Sequence, residues 1–129
     1  MTRRAVSTTS APSALGPYSQ GIVGGELVFC SGQIGLDPST GDFVAGGVEA
    51  QAERALRNLA GVLDAVGCSF GDVVKTTIFL ADIADFAAVN AVYAGFMPDP
   101  PPARSTFAVA ALPKGALVEI EAIAVKSSL

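Results

Sequence analysis

Residues 48–80 read VEAQAERALRNLAGVLDAVGCSFGDVVKTTIFL, and within this stretch the spacing of the apolar residues changes once. Ala52, Ala55, Leu56, Leu59, Val62, Leu63 and Val66 recur at helical intervals. This predicts a helix over about residues 47–66, with Glu53 and Arg57 four apart on its polar side and Gly67 as its stop. From Val73 to Leu80 the pattern alternates, with Val74, Thr76, Ile78 and Leu80 expected on one face of a strand. Downstream, Asp82 resembles an N-cap, and Asp85 favours the positive end of a helix over about 83–96. Phe86, Val89, Tyr93 and Phe96 form the apolar stripe of that helix. Pro98, Pro100, Pro101 and Pro102 exclude regular structure from 97–103. Strands then follow at 104–110 and 118–125, joined across 112–117. Upstream, residues 37–41 (DPSTG) have turn chemistry, and residues 26–31 (ELVFCS) read as a strand after a turn at Gly24-Gly25. Residues 11–20 form a loop leading into a strand, and the polar first ten residues offer one short strand. Strands, helix, strand, helix and strands in that order describe an α+β domain, a mixed sheet with two helices on one face.

The chain has 129 residues, which suits a single domain spanning 1–129. Half of them are hydrophobic and only 16% are charged, which asks for a core rich in small apolar residues and for surface covered by other subunits. The net charge of −4, with no basic cluster beyond Arg3 and Arg4, argues against a nucleic-acid partner. Two cysteines, Cys30 and Cys68, make no disulfide framework and are expected as buried thiols in a reducing compartment. The first 25 residues lack the apolar run of a secretion signal, and no stretch is apolar enough to cross a membrane. A cytoplasmic protein is expected. The sequence contains no histidine, so every mechanism that needs an imidazole is excluded, and with it most zinc sites.

Among residues able to do chemistry, Arg104 begins an otherwise apolar strand directly after the proline segment. Its guanidinium offers a planar fork that matches a carboxylate, although pairing with an acidic neighbour at the strand end is an equal reading. Glu119 and Glu121 alternate with Val118, Ile120 and Ala122, so both carboxylates face one side of the last strand. Between apolar neighbours, a carboxylate needs a partner or its pKa rises toward that of a general base; the alternative is a solvated strand edge. Asn90 falls on the apolar stripe of the second helix, where a satisfied core amide is the simpler reading. Tyr18-Ser19 after Gly16-Pro17, and Ser31-Gly32-Gln33 at a strand end, suit close approach of a small planar ligand, yet each taken alone is ordinary turn chemistry.

Taken in order, these segments resemble the reactive intermediate deaminase family (RidA or YjgF, the endoribonuclease L-PSP-like proteins). The matching runs include Gly16-Pro17-Tyr18-Ser19-Gln20, Ser31-Gly32-Gln33-Ile34, Asp37-Pro38-Ser39-Thr40-Gly41, Pro102-Ala103-Arg104-Ser105, Leu112-Pro113-Lys114-Gly115 and Val118-Glu119-Ile120-Glu121. The likeness extends over the chain from about residue 10. It implies a chorismate-mutase-like α+β fold in a homotrimer, with a site in each cleft between subunits. It also implies hydrolysis of 2-iminobutanoate and 2-iminopropanoate to 2-keto acids and ammonia, with no cofactor and no metal. The family's carboxylate-binding arginine falls on Arg104 and its water-positioning glutamate on Glu119. Tyr18, Ser31, Gly32 and Asn90 match positions that line the site. Thr106 stands where some members carry cysteine, and the proline segment before Arg104 is short, which implies a narrower pocket mouth. A trimer that only binds 2-keto acids or amino acids is the competing function. A ribonuclease is a third, opposed by the acidic charge and the missing histidine.

Overall fold

A computed structural model describes residues 3–126. Six strands form one sheet: β1 (Arg3–Val6), β2 (Gly21–Gly24), β3 (Leu27–Gln33), β4 (Val73–Leu80), β5 (Ala103–Ala108) and β6 (Val118–Val125). Their spatial order is β1-β2-β3-β6-β4-β5. The β4–β5 pair is parallel and the remaining pairs are antiparallel, so the sheet is mixed. The parallel pair is connected through the second helix, and the last strand inserts between β3 and β4. Both helices, α1 (Gly47–Asp64) and α2 (Phe86–Ala94), belong to one face of the sheet. The α+β architecture expected from the sequence is the one observed.

The helix α1 is amphipathic as its spacing predicts. It buries Val48, Ala52, Ala55, Leu56, Leu59, Val62 and Leu63 against the sheet and leaves the Glu53–Arg57 ion pair (3.2 Å) in solvent. Gly67, at φ 76°, ends it: the Gly67 and Cys68 amides turn back to the carbonyls of Asp64 and Leu63. Two buried amides on α1 have positional tasks. Asn58 Nδ2 donates to the carbonyls of Ile34 and Leu36, and Gln51 Oε1 accepts from the Leu117 amide. Two irregular segments are thereby pinned to the rigid helix. Gly35 permits this packing, because a Cβ there would lie 2.6 Å from the Gln51 Cα.

Three expectations need correction. Val74 does not share the buried face of β4. A register shift against β6 between Val73 and Lys75 turns Val73 inward and leaves Val74 exposed, the effect of a β-bulge on alternation. The segment 83–85 is a 3-10 turn capped by the Asp82 side chain, which accepts from the Ala84 amide, and α2 proper begins at Phe86. Asn90 is exposed, not a core amide. Cys30 and Cys68 are buried free thiols, and burial, with Cys68 nearby, pushes the Cys30 thiol up to about 12.

The face of the sheet opposite the helices is open in the single chain. Across it run Leu27 and Val125, Phe29 and Ile123, then Phe79 and Phe107, whose rings meet edge-to-face at 5.3 Å. Leu27, Phe29 and Phe107 are 38%, 44% and 45% exposed.

Candidate active site

Strand register assigns the two principal side chains to opposite faces of the sheet. On β5, Arg104 and Thr106 lie opposite Thr76 and Ile78, which are buried under the helices. On β6, Glu119 and Glu121 lie opposite Phe79 and Thr77, on the open face. Within one chain the expected site residues therefore form two groups.

The first group surrounds Arg104. Its Nη1 donates to Asn90 Oδ1 at 2.7 Å, and its Cζ lies 5.0 Å from the Tyr93 ring centroid and 5.7 Å from that of Phe86. Among the described residues no carboxylate pairs with it, which removes the reading of Arg104 as one half of a strand-end ion pair. A concavity of about 510 Å³ opens at the guanidinium, walled by Met97, Pro98, Pro101 and Pro102. The proline segment thus shapes the approach to the cation, as its position in the sequence suggests. Thr106 lies two residues along the same face of β5; its Oγ1 is buried and has no hydrogen-bond partner.

The second group lines a cleft of about 530 Å³ that contains Tyr18, Ser31, Gly32, Lys114, Glu119 and Glu121, with apolar walls from Pro12, Leu15, Ile34 and Leu36. Its loops are held by short bonds. Ser31 Oγ donates to the Ser19 carbonyl at 2.6 Å, and the Ser31 amide donates to the Gln20 carbonyl at 3.0 Å. The buried Gln20 amide group donates to the carbonyls of Thr8, Ala11 and Pro12. A β-bulge in β3 between Cys30 and Gln33 brings the Gly32 backbone onto the Glu119 carboxyl. A Cβ at Gly32 would lie 2.8 Å from Glu119 Cδ, so any side chain there displaces the carboxylate. Burial, and secondly the neighbouring charge of Glu121, raise the Glu119 pKa above the ordinary carboxylate value. Alternation placed both carboxylates on this face, and the perturbed one is the glutamate to which the family resemblance gives the water-positioning role.

Sequence reasoning missed Lys114, Phe86 and Tyr93 as neighbours of these groups. The last two were legible in part: Phe86, Asn90 and Tyr93 are spaced i, i+4, i+7, which aligns them on one helix face. Taking that face as wholly buried hid its second use. Lys114 carried no pattern of its own.

A mixed sheet with two helices on one face, a guanidinium with no carboxylate partner among the described residues on that side and a half-buried carboxylate on the other define a small α+β protein whose cation and carboxylate lie on opposite sheet faces. Residues 8–126 match the family described as endoribonuclease L-PSP, and the chain belongs to that family, which includes YjgF and RidA. A human protein named 2-iminobutanoate/2-iminopropanoate deaminase is 50% identical over 127 residues, 98% of this chain and 93% of its own. The chloroplastic Reactive Intermediate Deaminase A of Arabidopsis thaliana is 56% identical over 122 residues, 95% of this chain and 65% of its own. The crystal structure of E. coli TdcF with bound serine superposes with a TM-score of 0.90 at 45% identity, covering 96% of this chain and 99% of that one. Among the described residues no helix is long and apolar enough to cross a membrane.

Proposed function

We propose that this chain is an imine deaminase, hydrolysing 2-iminobutanoate and 2-iminopropanoate to 2-keto acids and ammonia in clefts shared between the subunits of a cytoplasmic homotrimer, each subunit a single domain. The observation that carries this reading is the division of the site. An unpaired guanidinium on one face of the sheet and a half-buried carboxylate on the other complete each other only when the Arg104 side of one subunit meets the Glu119 side of the next. The uncovered apolar face supports such an assembly.

In this reading Arg104 grips the substrate carboxylate through its two-pronged fork. Backbone groups near Gly32 and Thr106 hold the imine end. Tyr18, Ser31 and Asn90 line the pocket, and Asn90 also steadies the guanidinium. Glu119 takes a proton from water as the oxygen attacks the imine carbon. The C=N electron pair moves to nitrogen, which receives that proton from Glu119 to give the carbinolamine. Glu119 then takes the carbinolamine hydroxyl proton and delivers it to the amino group, which leaves as ammonia as the C=O bond of the keto acid forms. Imines hydrolyse readily, so positioning and desolvation supply most of the acceleration needed, and neither imidazole nor cofactor is required. The net charge of −4 favours this over a nucleic-acid substrate.

Serine bound to E. coli TdcF favours a second reading, a trimer that binds amino acids or 2-keto acids without turnover. One assay separates the two. An amino-acid oxidase or dehydratase generates the imine, and semicarbazide traps what remains. The purified protein is expected to accelerate imine loss, and Arg104→Lys to lose most of that effect, because a point charge cannot reproduce the fork. Binding of 2-oxobutanoate without faster imine loss would establish the binding module instead.

A further inference from the structure

The helix α2 does more than cover the sheet. Phe86, Asn90 and Tyr93 all converge on Arg104, one by a 2.7 Å hydrogen bond and two by ring faces at 5.7 and 5.0 Å. Tyr93 is 5% exposed, and its hydroxyl shares a 2.6 Å hydrogen bond with the buried Thr76 hydroxyl. Thr76 is in turn the register partner of Arg104 on the adjacent strand. The Tyr93 ring is therefore fixed at both ends, inside the core and under the cation. Phe86 differs: at 39% exposed, a large apolar ring remains at the surface beside a guanidinium. Guanidinium groups are weakly hydrated and are attracted to the negative face of an aromatic ring. Apart from the bond to Asn90, the Arg104 N–H groups have no protein partner among the described residues.

We propose that Phe86 is a positioning residue of the deaminase site, acting with Tyr93 to restrain the Arg104 guanidinium so that its free N–H groups are presented, already oriented, to the carboxylate of the 2-imino acid. The proposal rests on Arg104 being the carboxylate anchor. A mobile arginine must give up side-chain freedom on binding substrate; a restrained one has given it up during folding. The benefit falls on binding, since the carboxylate is held alike before and during attack on the imine carbon.

The test uses the assembled protein with Phe86→Leu, which keeps apolar bulk but removes the π face, beside Phe86→Tyr, which retains it, and Arg104→Gln. Three quantities are read: calorimetric affinity for 2-oxobutanoate, the kcat and KM for 2-iminobutanoate, and the NMR shift of the Arg104 Nε–H, which nearby rings displace. Phe86→Leu is expected to weaken 2-oxobutanoate binding and raise KM about three- to tenfold, to change kcat less, and to move the Nε–H resonance toward the value of a free arginine. Phe86→Tyr is expected to match wild type in all three. If Phe86→Leu binds 2-oxobutanoate as wild type does while Arg104→Gln does not, the role of Phe86 is refuted and the anchor stands. Equal weakening by Phe86→Leu and Phe86→Tyr refutes it too, since the effect is then steric. If Arg104→Gln itself binds normally, the anchor reading fails.

Discussion

Glu119 has to be ionised to accept a proton, yet its surroundings resist ionisation. Burial is the larger cause and the charge of Glu121 the second. Turnover should therefore rise with pH along a limb centred above the ordinary glutamate range. Glu121→Gln removes the like charge and should move that limb to lower pH with little change in the plateau. Glu119→Gln should lower the plateau by roughly 10²-fold, the scale of losing a general base, while calorimetric affinity for 2-oxobutanoate changes far less. Rate-against-pH profiles for the three proteins check this, and a Glu121→Gln limb that stays in place would exclude the coupling. The same shift has a consequence for stability, with a definite sign. A glutamate whose folded pKa is raised disfavours folding once it is ionised. The penalty is absent below its unfolded pKa, develops as pH rises toward the folded value and is complete above it. The stability advantage of Glu119→Gln should accordingly be present at neutral pH and vanish in acid. Alternation along residues 118–125 made both carboxylates and their common face legible. The identity of the perturbed one was not, because it depends on Gly32, which reaches Glu119 only through a bulge in another strand.

At the scale of the element, Lys114 is the one non-glycine residue with positive φ among the described residues (φ 58°, ψ 20°), and Gly115 after it is also left-handed. The pair makes the tight turn that feeds β6 and sets Lys114 on the rim of the Glu119 cleft. A side chain in this region is strained, so Lys114→Gly should stabilise the protein by about 1 kcal/mol. Urea unfolding at constant m-value would measure it, and a loss of stability would mean that the lysine side chain makes contacts worth more than the strain. Element boundaries were largely readable. Residues 73–80 and 118–125 were read to the residue and the first helix within two, because long apolar periodicities dominate local choices. What failed was local in origin. Val74 followed the alternation until a bulge shifted it. The strand Gly21–Gly24 is only four residues long, two of them glycine, and was seen only as the place a loop led to. Asn90 sat on an apolar stripe that turns out to be shared between the core and Arg104.

At the scale of the molecule, the low charge content noted in the sequence has a location. It is the sheet face bearing Leu27, Phe29, Ile123, Val125, Phe79 and Phe107, on which Leu27, Phe29 and Phe107 remain exposed among the described residues. Sedimentation equilibrium at micromolar concentration should give three times the chain mass. Phe29→Lys, placing a charge in the middle of that face, should yield a monomer that keeps its far-ultraviolet circular dichroism but loses imine turnover. A monomeric wild type would remove the shared cleft. The residues of the proposed site were nameable from the sequence, and the resemblance implied clefts between subunits, but the placement of Arg104 and Glu119 on opposite faces of one sheet was not read. Which face a strand residue takes is written in alternation, whereas which subunit supplies it depends on how finished subunits meet.

The placement of Arg104 and Glu119 on opposite faces of one sheet also makes the protein a case for complementation between alleles. In the proposed head-to-tail ring, a subunit lacking only the arginine would still lend its glutamate to one neighbour, and a subunit lacking only the glutamate would still lend its arginine to the other. Co-refolding equal amounts of Arg104→Ala and Glu119→Gln chains, each inactive alone, should leave about a quarter of the sites intact in both groups. Activity should return to that fraction of wild type. Were both groups drawn from the same chain, every site in the mixture would carry one lesion or the other, and no activity would return. A cell carrying the two defective alleles would then fare better than a cell carrying either one twice.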